Sequence, residues 1–158
     1  HGAGGEVGHI TVREEETETC NCGRCGCLEQ YVSATGIVRM ARRRLEQYDG
    51  ATVLQETDEL SAKEIFDAAK AGDTLAVKLL EELGQILGTA LSNMACVVDP
   101  EVIVIGGGVS KAGAILTDTI GKYFKKLCFH ACAQTRLVLA GLGNDAGIYG
   151  CMRMLLDE

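Results

Sequence analysis

Apolar residues recur at Ala76, Leu79, Leu80, Leu83, Leu87, Ala90, Leu91 and Met94, the three-and-four spacing of one face of an α-helix. Asp73 precedes this stretch as an N-cap and Asp99-Pro100 closes it, so the pattern predicts a long helix running towards Val97. Gly84 and Gly88 lie four apart on it, a spacing that lets another backbone approach closely and marks a central, tightly packed helix. Ser61-Ala62-Lys63-Glu64 is a capping box opening a shorter helix that ends near Ala71-Gly72. A further helix is expected from about Leu28 to Tyr48, weakened at Gly36, and Gly50 to Leu60 is polar and irregular.

The period changes elsewhere. Val7 to Arg13 alternates apolar and polar residues and reads as a strand. Glu101 to Ile105 is a short β-branched run of the buried-strand type, ending in Gly106-Gly107-Gly108. Val109-Ser110 leads into a helix through about Leu127. Arg136 to Ala140 reads as another strand, Gly141 to Asp145 as a turn and Ala146 to Leu156 as a final helix. Strands alternating with helices mean an α/β fold.

Composition narrows the function classes. At 158 residues the chain is one domain or part of a larger protein. Net charge is −7 with no sustained basic face, so nucleic acid is not an expected partner. Arg42-Arg43-Arg44 reads as a solvated helix face and Glu14-Glu15-Glu16 as a solvated loop. No apolar run reaches membrane-spanning length, and no membrane partner is expected. The first residues form no signal peptide, and without an initiating Met the chain reads as processed or, better, as a piece of a longer polypeptide; His1 is given no role. Of eight cysteines, Cys96, Cys128, Cys132 and Cys151 fall in apolar or helical surroundings and are expected to be small buried hydrophobes. The other four lie too close in sequence to cross-link distant parts of a fold, so a reducing cytoplasm is expected.

Those four carry the candidate chemistry. Cys20-Asn21-Cys22-Gly23-Arg24-Cys25-Gly26-Cys27 places four sulfurs in eight residues, with His9 eleven positions before the first. A structural zinc site takes four Cys or His ligands. Five candidates compete for four places; His9 is the natural nitrogen donor, leaving one cysteine spare. The triple glycine at the carboxyl end of a strand, just before a helix, would let a ligand reach the backbone. It matches neither the dinucleotide fingerprint nor the phosphate loop with its Lys and Ser/Thr, and a tight turn explains it equally well.

Gly5-Glu6-Val7-Gly8-His9 followed by Cys-x-Cys-Gly-x-x-Gly-Cys-Leu-Glu (Cys20 to Glu29) resembles the signature of the ROK family of sugar kinases and sugar-responsive repressors. Asp99-Pro100-Glu101 through Ser110, and Leu142 to Gly150, resemble the family's later blocks, most similar to those of its bacterial glucokinases. The resemblance covers the whole chain. It implies an actin-like (ribonuclease H-like) α/β domain over residues 1–158, the C-terminal half of a sugar kinase, with a zinc knuckle inserted at 9–27. It assigns structural Zn²⁺ to His9, Cys20, Cys22 and Cys27, sets Cys25 aside, and leaves a site charge of −1 beside Arg24. It gives Glu6, His9 and Glu29 to sugar hydroxyls, and Gly106, Gly107 and Gly108 to the adenosine end of ATP.

Glucose or a related hexose (mannose, N-acetylglucosamine or fructose), ATP with Mg²⁺, and self-association as a dimer or tetramer are the implied partners. The family's catalytic Asp and first phosphate loop lie in its N-terminal domain and match nothing here, so this stretch by itself is expected not to phosphorylate a sugar. The alternatives are the sugar-sensing domain of a repressor of the same family, or a plain zinc-knuckle interaction module. A glycine-rich phosphate loop upstream would mean kinase, and a helix-turn-helix repressor.

Overall fold

The computed structural model describes residues 1–57 and 59–156, with Asn144 described in its backbone alone. Among the described residues, six α-helices and a parallel pair of strands follow one another as α1 (Glu29–Val32), α2 (Ala34–Leu45), α3 (Ala62–Lys70), α4 (Thr74–Val98), β1 (Val102–Ile105), α5 (Ala114–Leu127), β2 (Arg136–Leu139) and α6 (Ala146–Leu156). β1 and β2 pair from Val102 opposite Arg136 to Ile105 opposite Leu139, joined by a crossover through α5. Alternation of strand and helix therefore gives an α/β unit, as the sequence pattern requires.

Helix α4 is the central beam. Asp73 accepts a hydrogen bond from the Ala76 amide at 2.9 Å and caps its start, and Asp99 ends it in the left-handed region at φ 47°. Leu79 and Leu83 on α4 join Leu116, Ile120 and Phe124 of α5, Ile37 of α2 and Ile65 of α3 among the fully buried side chains. The paired glycines do what their spacing predicts. A Cβ at Gly84 would stand 2.5 Å from Thr119 Cγ2, and one at Gly88 2.9 Å from Phe124 N. The Ser61–Glu64 capping box of α3 is complete on both sides.

Several expectations need correction. Val7 to Arg13 is no strand: Val7–His9 is a 3₁₀ turn, and only Thr11 makes an isolated antiparallel bridge, to Cys27. Its alternation arises because Ile10 and Val12 pack against the core while Val7 is exposed. The expected Leu28–Tyr48 helix is two helices, broken at Ser33. That residue is extended (ψ 162°), and its hydroxyl accepts the Gly36 amide as the N-cap of α2. Gly113 likewise separates a 3₁₀ stretch, Gly108–Ala112, from α5. A short 3₁₀ turn at Val53–Glu56 buries Leu54 within the irregular 50–60 segment.

β1 is half-buried, with Val104 60% exposed, because no described element covers that face of the two-stranded sheet. Of the four dispersed cysteines only Cys132 is buried; Cys96 of α4 and Cys151 of α6 are exposed, and Cys128, just past the end of α5, is intermediate. No helix among the described residues is long and apolar enough to cross a membrane.

Candidate functional site

The knuckle is folded by backbone before any metal is considered. Thr11 bridges Cys27 and Thr19 bridges Cys25, so the chain from His9 to Cys27 makes two short antiparallel contacts. Between them, the Cys20 amide donates to Arg24 O at 2.7 Å and the Gly23 amide to Cys20 O at 2.8 Å, closing the turn that carries Cys22. Gly26 is a requirement of this path. It has φ +74°, and a Cβ there would stand 1.8 Å from Arg13 O; its own carbonyl accepts the Val12 amide at 2.8 Å. The Leu28 amide then donates to Ile10 O at 2.9 Å and docks the end of the knuckle on the start of α1.

This path gathers His9, Cys20, Cys22 and Cys27, whose ligand atoms all lie within 4.8 Å of one another. Cys22 and Cys27 sulfurs are 3.5 Å apart, and Cys20 Sγ is 3.8 Å from His9 Nδ1. A tetrahedral ion with bonds of about 2.3 Å to sulfur has ligand–ligand edges of about 3.7 Å, so donor set and spacing both fit zinc. Cys25 turns away, its thiol directed at Thr17 O at 3.8 Å. Arg24 folds back and donates to the His9 carbonyl, placing its cation beside the cluster.

Crowded thiols also explain the acidities. A hydrogen bond from the Arg24 amide, with thiol contacts, brings Cys22 down to about 6. Burial, reinforced by Cys22 and Cys20, pushes Cys27 up to about 12. Three sulfurs at this distance cannot all ionise without a cation among them.

Two carboxylates flank the imidazole. Glu6 Oε2 lies 3.9 Å from His9 Nε2, and Glu29 Oε2 lies 3.7 Å from His9 Nδ1. Glu6 stands just before the Val7–His9 turn and Glu29 begins α1 directly after the last knuckle residues. Both keep exposed carboxylates, so this acid–imidazole–acid edge can offer hydrogen-bond acceptors to a polyhydroxylated ligand.

Gly106, Gly107 and Gly108 occupy a second location, at the carboxyl end of β1. Gly107 has φ +75° and its carbonyl accepts the Ser110 hydroxyl at 2.7 Å. The 3₁₀ turn that follows touches the Gly143–Asp145 turn after β2, so both parallel strands end in adjoining glycine-bearing turns. That is where open α/β sheets bind ligands. A cavity of about 180 Å³, lined by Ala62 and Phe66 of α3 with Val109 and Ala112, adjoins Gly108. Gly84 and Gly88 take no part; they are packing residues.

The sequence reading missed the support behind the knuckle. Glu16 and the Arg42–Arg44 run are not freely solvated. The Glu16 carboxylate, 5% exposed, accepts from the Tyr31 hydroxyl at 2.7 Å and from Arg43 Nη1 at 2.8 Å. Arg43 also binds Glu18 at 2.7 Å, and Arg44 reaches Glu82 at 2.8 Å. Arg43, Tyr31 and the Glu18 amide hold the Glu16 carboxyl well below the usual carboxylate range, against the opposing effect of burial. Gln30 is buried beneath the same loop, bonded to the Cys27 amide and the Glu18 carbonyl. Nothing in a linear pattern marks these residues, because the partners that take Glu16 and Gln30 out of solvent, Tyr31, Arg43 and the Glu18 carbonyl, lie twelve or more residues away. Gly26 alone had a signal, in the Cys-Gly-Cys spacing.

Comparison with known proteins shows the family. The pattern described as ROK family matches residues 1–158. Over 154 residues the chain is 42% identical to the glucokinase of Halalkalibacterium halodurans, covering 95% of this chain and 47% of that protein. It is 35% identical over 117 residues to the DNA-binding transcriptional dual regulator NagC of Escherichia coli, covering 73% of this chain and 28% of that protein. A solved ROK family glucokinase from Streptomyces griseus, in complex with glucose and AMPPNP, superposes with a TM-score of 0.82 at 33% identity. That match covers 94% of this chain and 50% of the other. The chain spans about half the length of the curated glucokinases it matches. On the match over its whole length, with a knuckle folded to gather its metal-type ligands, the chain belongs to the ROK family.

Proposed function

We propose that this chain is the C-terminal, sugar-orienting half of a cytoplasmic ATP-dependent ROK glucokinase with an actin-like (ribonuclease H-like) fold. The observation that carries this reading is the acid–imidazole–acid edge, with Glu6 and Glu29 within 4 Å of a His9 ring that also faces the thiol cluster. Similarity to glucokinases supports a kinase over a repressor, since the glucokinase match, at 42%, is higher in identity than the NagC match, at 35%.

In this reading Glu6 and Glu29 each accept hydrogen bonds from sugar hydroxyls, and His9 presents Nε2 to the sugar. Zinc bound by His9, Cys20, Cys22 and Cys27 would fix the tautomer and direction of the imidazole, a structural and orienting role. Carboxylates are suited to this work because each oxygen accepts more than one donor, and charged acceptors bind hydroxyls more strongly than neutral ones. The turn at Gly106–Gly108, with the small apolar cavity beside it, receives part of the adenosine of MgATP. The base that deprotonates the attacking 6-hydroxyl and most of the phosphate contacts come from the preceding half of the enzyme. The full-length enzyme is a homo-oligomer, and glucose is its hexose.

The full-length protein, given MgATP and glucose, should form ADP and glucose 6-phosphate in equal amounts. Sugar-dependent release of an operator DNA without any such turnover would establish the repressor instead. Mannose, N-acetylglucosamine and fructose tested alongside glucose rank the hexoses.

A further inference from the structure

Gln30 joins three things that the sequence keeps apart. Its Oε1 accepts the Cys27 amide at 3.0 Å, and its Nε2 donates to the Glu18 carbonyl at 2.9 Å. Its main-chain carbonyl accepts from Arg39 Nη2 at 2.7 Å. The residue is 7% exposed. One side chain thus ties the incoming arm of the knuckle, at Glu18, to its outgoing arm, at Cys27, from a seat on α1. The residue immediately before it is Glu29.

α1 is a single turn, Glu29–Val32, broken from α2 at Ser33. So short a helix does not hold its own direction, because nucleation outweighs what one turn of hydrogen bonds returns. Its orientation must be fixed by tertiary bonds. Those bonds include the Leu28 amide to Ile10 O, the Gln30 amide group to both knuckle arms, the Tyr31 hydroxyl to Glu16, and Arg39 to the Gln30 carbonyl. Of these side-chain bonds, the Gln30 pair is the one that reaches a cysteine of the cluster.

We infer that Gln30 is a positioning residue, which aims Glu29 at the sugar by locking α1 to both arms of the zinc knuckle. The inference rests on the sugar role given to Glu29 above. Gln30 itself touches no substrate; it transmits the placement of the knuckle to the neighbouring acid. A buried primary amide suits this task, since it satisfies one N–H and one C=O at once and carries no charge to compete with the thiolates.

The test uses the zinc-loaded full-length protein with Gln30→Met, which keeps side-chain length and removes both bonds. Gln30→Glu is the second variant; it keeps the acceptor for Cys27 and loses the donor to Glu18. Zinc content, calorimetric glucose affinity, and the Michaelis constants for glucose and ATP are measured for each. With zinc still bound, Gln30→Met should weaken glucose binding and raise the glucose constant roughly tenfold, the loss of about one charge-assisted hydrogen bond. The ATP constant should stay put, and Gln30→Glu should show a smaller change in the same direction. If Gln30→Met fails to fold or sheds its zinc, Gln30→Glu decides alone. Unchanged glucose affinity in a zinc-retaining variant overturns the inference, as does a matching rise in the ATP constant, which a merely structural role would produce. A wild-type protein that binds glucose without turnover refutes the kinase reading alone, while the affinity ratios still test Gln30. A wild type that binds no glucose overturns both.

Discussion

Gly88 of α4 lies directly against the backbone of Phe124 on α5: a Cβ on that glycine would stand 2.9 Å from Phe124 N and 2.7 Å from Tyr123 Cβ. The two longest neighbouring helices of the fold therefore meet nearly backbone to backbone, and Phe124 can be fully buried between them. Gly88→Ala should destabilise the protein by about 1–3 kcal/mol through overpacking, despite alanine's better helix propensity. Urea unfolding of both proteins checks this. A variant as stable as the wild type would mean the helices part without cost.

Zinc should be present at about one ion per chain. Cys27→Ser should abolish it, because Cys27 is the fully buried member of the cluster. Cys25→Ser should leave it unchanged, since that thiol faces Thr17 O rather than the cluster. Metal analysis of purified proteins reads both outcomes, and retention of zinc by Cys27→Ser would refute the ligand assignment.

The Glu16 carboxyl predicts a pH effect whose sign follows from its folded acidity. Arg43 and its other donors hold it below the ordinary value of about 4.3. Its contribution is therefore complete above the unfolded-state pKa and is lost as pH falls from about 5 towards the depressed folded value. Glu16→Gln should lower stability at pH 7 by roughly 1.5–3 kcal/mol, the worth of hydrogen bonds to a charged group. The gap between wild type and variant should narrow on acidification to about pH 3. Denaturant midpoints at the two pH values measure it; a gap independent of pH would contradict the account.

Glu6→Gln and Glu29→Gln in the full-length enzyme should each raise the Michaelis constant for glucose roughly tenfold or more, each replacing a charged acceptor with a neutral one. The ATP constant should hardly move. Steady-state kinetics with each substrate varied in turn decides the point, and an unchanged glucose constant in both variants would remove these acids from the sugar site.

Gly107→Ala separates the second location from the first. At φ +75° an alanine is strained by about 1–2 kcal/mol, while the turn has open space on the side where a Cβ would point. The ATP constant should rise and the glucose constant stay near wild type in the same kinetic assay. A change confined to glucose would place the triple glycine away from the nucleotide.

The fold was most legible where the determinants are local. The Asp73 cap, the Ser61–Glu64 box and the apolar face of α4 all act within a few residues, and each appears as the pattern requires. Legibility failed where a distant partner decides. Val7 to Arg13 alternates as a strand does, yet among the described residues it pairs only through a single bridge, Thr11 to Cys27, and the segment turns into the knuckle. Glu16 reads as one of three solvated acids, until Arg43, twenty-seven residues on, takes it out of water.

The candidate site divides the same way. His9, Cys20, Cys22, Cys25 and Cys27 were visible as donors by type and spacing alone, because thiolate and imidazole chemistry belongs to the residue. Which cysteine is left out of the cluster is a matter of direction, and direction came from the close approach at Gly26 and the two bridges that fold the loop.

By itself the sequence determined the helical beam, its glycine seam, the α/β alternation and the inventory of metal-type donors, all consequences of local propensity and residue chemistry. Only the tertiary structure decided that Glu6 and Glu29 meet on one imidazole, that Arg43 and Tyr31 brace the knuckle from behind, and that Gln30 spans its two arms. The physical reason is that hydrogen bonds and ion pairs between residues far apart in the chain depend on where packing brings them, and one-dimensional periodicity carries no such distances.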